Sequence, residues 1–172
     1  MSDFVFIPSE DQIKNSNLQS FMDKHKIVSL IELSNKAKTN LEWFWKAVDE
    51  DIGIIWDKKY EKIMDSSKGH PWTKWFVNGK TNIIKSSVEK FSKIIPEKTA
   101  YYFISEDHLA SQISYKELNE NVNKLANGLK SLGVKKGDVV AIYMPMIKEA
   151  IITILACAKI GAVQTVIFSG YS

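Results

Sequence analysis

Ser114–Ser172 reads SYKELNENVNKLANGLKSLGVKKGDVVAIYMPMIKEAIITILACAKIGAVQTVIFSGYS, and this stretch decides the fold. Ser114 and Glu117 stand in the Ser-x-x-Glu spacing of a capping box, in which each side chain satisfies a free N–H at a helix start. Leu118, Val122, Leu125, Ala126 and Leu129 follow at the 3, 4 spacing of one buried helical face. Gly133 is placed to close that helix in the left-handed conformation. Asp138–Met144 (DVVAIYM) is a short, nearly all-apolar run, the pattern of a strand covered on both faces, and Pro145 stops it. The pattern predicts a second helix over Ile147–Ile160 and a second strand over Val163–Phe168. Strand, crossover helix and strand make a βαβ unit, which is right-handed by strong rule. One unit cannot close a sheet, so the stretch reads as the opening of a larger α/β layer.

The composition of the whole 172 residues, 45% hydrophobic and 25% charged, fits a globular chain. Ala150–Val163, the longest apolar run, contains Lys159 and falls short of the roughly 20 residues that span a bilayer. The N-terminus, MSDFVFIPSED, has acids where a secretory signal has positive charge, so the cytoplasm is the expected compartment. Cys157 is the only cysteine; among Ala156 and Ala158 it reads as a small buried hydrophobe. All 23 basic residues are lysine, set among 20 acids to a net charge of +3. Lysine lacks the planar fork with which Arg reads guanine and phosphate, and no basic stripe is present, so nucleic acid is not an expected partner.

Residues 1–76 hold all five tryptophans, Trp43, Trp45, Trp56, Trp72 and Trp75. Ser9 with Gln12 suggests a capped start. Short helices are predicted over Asn17–His25 and Ser29–Ala37. Thr39 with Glu42 then suggests a second capping box opening Asn40–Ile52, with a heavy aromatic face at Trp43, Phe44 and Trp45. From Trp56 to Asn82 the pattern is irregular, with turn signals at Gly69–His70–Pro71 and Asn78–Gly79, as in an arm packed on another body. A further amphipathic helix is expected over Ile83–Phe91. Beyond it come a strand over Thr99–Ser105, a turn at Glu106–Asp107–His108 and a short strand before Ser114.

Motifs that carry chemistry are scarce. There is no glycine-rich phosphate loop; Lys135 and Lys136, between Gly133 and Gly137, read as a solvated turn. His25, His70 and His108 are scattered singly and do not match metal-ligand spacing, so no metal site is expected. Ser169 lacks the Gly-x-Ser-x-Gly elbow of a nucleophile, and Asp49, Glu50 and Asp51 at a helix end read as hydrated. No catalytic residue is assigned. Ligands of open parallel sheets bind at the carboxyl ends of strands, which directs attention to Phe168–Ser172 (FSGYS). Gly170 could let backbone approach a ligand closely, and Phe168 or Tyr171 could lie against a flat heterocycle. From the residues alone, an ordinary strand-to-helix turn with Ser172 as N-cap stands beside that reading.

The stretch from Ser114 closely resembles the start of the adenylating domain of AMP-forming acyl-CoA synthetases of the acetyl-CoA synthetase type. SYKEL resembles that family's first helix, KKGDVVAIYMPM its first core strand and ILACAKIGAVQTVIFSGYS its next helix and strand. The aromatic helix around Trp43–Phe44–Trp45 and the segment TKWFVNGKTNI are similar to the N-terminal arm of the acetyl-, propionyl- and acetoacetyl-CoA branch. The resemblance implies a helical N-terminal extension over residues 1–82 and the incomplete start of an adenylating domain over 83–172. It implies a parent enzyme that joins a small carboxylic acid to coenzyme A through an acyl-adenylate, with ATP and Mg, and that uses no nucleic acid or membrane. The phosphate loop, the coenzyme-binding arginines and the catalytic lysine of that family do not occur in these 172 residues. The stretch is therefore expected to be inactive alone, to bind no cofactor stably and to be prone to self-association. Phe168 and Gly170 match positions that border the nucleotide part of coenzyme A, while Ser169 stands where the family usually has glycine. TNIIKSSVEKF departs from the Asn/Asp/His pattern usual in acetyl-CoA synthetases. Two other classes fit the same residues: a free-standing interaction or regulatory module that docks on a full-length synthetase, and a non-catalytic CoA- or nucleotide-binding domain.

Overall fold

The computed structural model describes residues 5–104 and 109–171; the expected turn at Glu106–Asp107–His108 and the cap at Ser172 lie outside them. In chain order the elements are α1 (Glu10–Lys14), α2 (Asn17–Lys24), α3 (Leu30–Thr39), α4 (Leu41–Ile52), β1 (Trp56–Lys58), β2 (Lys62–Asp65), β3 (Lys74–Val77) and β4 (Lys80–Thr81). A helical stretch follows, π-type over Lys85–Glu89 and α over Lys90–Ile94, the latter being α5. Then come β5 (Thr99–Ile104), β6 (Ala110–Ser114), α6 (Tyr115–Ser131), β7 (Val139–Tyr143), α7 (Lys148–Ile160) and β8 (Val163–Ile167). They form two compact units: one reaches to Ile54 and includes Glu61–Val77, and the other takes Ile55–Tyr60 and the chain from Asn78 onward. None of the described helices is long and apolar enough to cross a membrane.

In the first unit, α2, α3 and α4 bury Phe21, Met22, Ile27, Leu33 and Ala47 against Trp43, Phe44 and Val48. Each fully buried large apolar side chain of this kind contributes about 1.5–3 kcal/mol. The capping box at Ser9 and Gln12 is present and reciprocal. The one expected at Thr39 and Glu42 is not. Thr39 turns its hydroxyl back onto the carbonyls of Asn35 and Lys36, and Asn40 caps α4 by accepting from Trp43 N–H at 2.9 Å. Asp49, expected to be hydrated, is only 2% exposed. The chain folds back over this turn, where the N–H groups of Gly53 and Ile54 both donate to the Asp49 carbonyl. Trp75 meets Trp45 edge to face at 5.7 Å.

The segment expected to be irregular contains strands. β2 pairs antiparallel with β3 in the first unit, and β1 with β4 in the second. The N-terminal region is therefore mixed, not purely helical. These strands are two to four residues long and open on exposed lysines or their neighbours, so no alternation of apolar residues betrays them in the sequence.

In the second unit the core is Ile84, Val88, Ile113, Leu118, Val122 and Ile152, joined by Phe103, Leu125 and Leu155. The helix expected over Ile83–Phe91 runs over residues 83–94 and is widened by its π-type middle. β5 and β6 form an antiparallel hairpin. Ser114 caps α6 by accepting from Glu117 N–H at 3.2 Å, and Gly133 beyond its end takes φ +91°. β7 and β8 pair in parallel, from Val139 against Val163 to Tyr143 against Ile167, with α7 as the crossover. The βαβ unit is thus formed, but its strands are not covered on both faces. All five residues of β8 are exposed, and in β7 only Ile142 is buried.

Candidate functional site at the carboxyl ends of the parallel strands

Parallel pairing fixes what lies at the carboxyl edge of this sheet. The last paired residues are Tyr143 and Ile167, so Met144–Ile147 leaves β7 and Phe168–Tyr171 leaves β8 at the same end. Phe168–Tyr171 is a tight turn: Tyr171 N–H donates to the Phe168 carbonyl at 3.1 Å. The two rings meet edge to face, centroids 5.7 Å apart at 88°. Both are about two-thirds exposed, 68% for Phe168 and 67% for Tyr171.

Gly170 occupies the turn without a left-handed backbone. Its requirement is space, because a Cβ there would sit 2.5 Å from Cε1 of Phe168. The expectation was of a ligand approaching this glycine's backbone; the neighbour the structure places closest to it is the Phe168 ring. Tyr143, which sequence reasoning took only as part of an apolar strand, donates its phenol O–H to the Tyr171 carbonyl at 2.8 Å. No sequence signal connects residues 28 positions apart; parallel register does. On the loop leaving β7, Met146 and Ile147 join Phe103, Ile104 and Leu109 around a cleft of ≈ 200 Å³.

The other sequence candidates are placed elsewhere. Cys157 is fully buried in α7, and that burial pushes its thiol up from the ordinary range, away from nucleophilic thiolate. His25 closes α2, its ring between Phe21 and Trp43, and its Nε2 is buried without a partner. His70 opens a 3-10 turn, and His108 lies outside the described residues. Lys135 and Lys136 are in the turn before β7, where Lys135 N–H donates to Asp138 Oδ2 at 2.7 Å and the Lys136 stem lies against Gly161. Among the described residues no three His, Cys, Asp or Glu side chains come together in a way that could hold a metal ion.

Comparison with known proteins matches residues 31–86 to the acetyl-coenzyme A synthetase N-terminus and residues 88–172 to the AMP-binding enzyme family. An acetyl-coenzyme A synthetase of Methanothrix thermoacetophila is 43% identical over 162 residues, 93% of this chain and 24% of that protein. One from Laribacter hongkongensis is 38% identical over 170 residues, 97% of this chain and 24% of that protein. Among solved structures, the acetoacetyl-CoA synthetase of Streptomyces lividans superposes with a TM-score of 0.86 at 25% identity, over 95% of this chain and 26% of that one. The chain spans about a quarter of the length of the relatives it matches. By the two matched segments, their order along the chain and the α/β fold they share, this chain belongs to the AMP-binding enzymes of the acetyl-coenzyme A synthetase type and corresponds to their N-terminal region.

Proposed function

We propose that residues 1–172 are the N-terminal part of an AMP-forming short-chain acyl-CoA synthetase. In the parent reaction a carboxylate oxygen attacks the α-phosphorus of ATP and expels pyrophosphate. The coenzyme A thiolate then attacks the acyl carbon and expels AMP. Residues 1–82 serve as the N-terminal extension and 83–172 as the opening of the adenylating domain, in a cytoplasmic enzyme. No catalytic residue is assigned within this stretch, and the polypeptide of 172 residues is inactive by itself.

The observation that supports this most is the solvent-facing turn Phe168–Tyr171 at the carboxyl edge of a parallel strand pair, the position at which open α/β sheets receive ligands. In this reading Phe168 offers an exposed ring face to the nucleotide part of coenzyme A, and Gly170 leaves room for that ring.

The test is acyl-CoA formation by the full-length protein with a panel of short carboxylic acids, beside ATP–pyrophosphate exchange by residues 1–172 alone. Acyl-CoA and AMP are expected from the first and no exchange from the second. A folded full-length protein that makes no acyl-CoA from any acid would favour an interaction module, and exchange by the short polypeptide would refute its inactivity.

A further inference from the structure

The carboxyl edge of the β7–β8 pair contains a contact that goes beyond the roles given to Phe168 and Gly170. β8 ends its pairing at Ile167, so Phe168–Tyr171 projects past the ladder that rigidifies the strand. Only two backbone-directed bonds hold its shape among those described: Tyr171 N–H to the Phe168 carbonyl at 3.1 Å, and the Tyr143 phenol to the Tyr171 carbonyl at 2.8 Å. The second is at the usual length of an O–H···O bond and ties the turn to the neighbouring strand. Tyr143 is the residue paired with Ile167, so its phenol rises from the edge directly beside the start of the turn.

We propose that Tyr143 is a positioning residue for coenzyme A. Its phenol fixes the exit of the Phe168–Tyr171 turn and so fixes where the Phe168 ring is presented. This rests on the proposal that the turn borders the coenzyme. Tyr143 and Tyr171 are 58% and 67% exposed, and a hydrogen bond between such groups adds little to global stability. Its effect is local. Without it the turn samples other shapes, and the coenzyme must select one of them on binding. The first half-reaction, which makes the adenylate before coenzyme A enters, does not depend on that turn.

The experiment uses the full-length enzyme with Tyr143→Phe, which deletes one oxygen from an exposed side chain, and Phe168→Ala as a companion. Loss of one hydrogen bond that orders the turn is expected to raise KM for coenzyme A roughly three- to tenfold in Tyr143→Phe. The kcat at saturating coenzyme and the ATP–pyrophosphate exchange rate should stay within about twofold, a split that a general loss of structure would not give. Phe168→Ala should raise the same KM. A rise in Phe168→Ala with none in Tyr143→Phe would overturn the role of Tyr143 and leave the turn at the coenzyme. No rise in either would overturn the placement of the turn itself. Equal losses of exchange and thioester formation in Tyr143→Phe would mark it as structural and overturn the proposal.

Discussion

The side-chain amide of Asn82 donates to the carbonyl of Ala158, 76 residues further along the chain, at 3.1 Å. The same nitrogen donates to the Lys159 carbonyl at 3.0 Å, and the Asn82 side-chain oxygen accepts from Ile84 N–H at 3.0 Å. One side chain thus closes the carbonyl end of α7 and starts the helix over residues 83–94. Lys159 pairs with Glu89 across the same two helices. Asn82→Ala leaves the α7 carbonyls without these donors and should cost about 1–3 kcal/mol in urea unfolding of the second unit. Asn82→Asp keeps an acceptor for Ile84 but turns a carboxylate toward two carbonyls, and should be no better than alanine. An aspartate variant as stable as the natural protein would show that the two donated bonds contribute nothing.

The contrast between what was legible and what was not has a physical basis. The 3, 4 repeat from Leu118 to Leu129 and the apolar runs at 138–144 and 163–168 are local patterns that appear as the helix and strands they predict, and of the capping box read at Ser114 and Glu117 the structure gives the half in which Ser114 accepts from Glu117 N–H. Asn40 displaced Thr39 as a cap because the threonine hydroxyl had a competing partner in the preceding helix. The pairs β1–β4 and β2–β3 were hidden because their short strands carry little apolar alternation. Asn82 with Ala158, and Tyr143 with Tyr171, depend on register between distant segments. The rule about strand ends pointed to Phe168–Ser172 and the family resemblance to Phe168 and Gly170 within it, but the bond from Tyr143 to the Tyr171 carbonyl could be found only once the strands were paired.

Cys157 gives a prediction about access and pH. It is fully buried in α7, and burial raises its thiol above the ordinary value. A thiol reagent at neutral pH should react very slowly with the folded chain and rapidly in denaturant. The folded-state value lies above the unfolded one, near 8.5. The protonated thiol's contribution to stability is therefore complete below that pH and declines as pH rises through it toward the folded value. Cys157→Ala should flatten that alkaline decline, at a cost of cavity formation visible at neutral pH. Native labelling as fast as that of free cysteine would contradict the burial.

The β7–β8 pair carries a prediction about association. Val163, Val166 and Ile167 are exposed on β8, and among the described residues its outer edge pairs with no other strand. Exposed apolar edges recruit other chains. The polypeptide of residues 1–172 should show a mass that grows with concentration in light scattering, and Val166→Lys should reduce it. A monomer at every concentration would remove the edge as an association surface.

Gly170 and Phe168 should behave as one unit. The Gly170 backbone is not left-handed, so alanine there adds no backbone strain, but its Cβ would fall 2.5 Å from Cε1 of Phe168 and the ring would have to swing aside. If that ring lies against coenzyme A, Gly170→Ala and the bulkier Gly170→Val should both raise KM for the coenzyme in the full-length enzyme, valine more, with adenylate formation nearly unchanged. The displaced group is the Phe168 ring, so Gly170→Ala should have almost no further effect once Phe168 is alanine. The coupling in that double-mutant cycle should be about 0.5–3 kcal/mol, the range seen for residues in contact. Full additivity would mean that Gly170 acts on the coenzyme through its own backbone, as the sequence alone had suggested, and not by making room for Phe168.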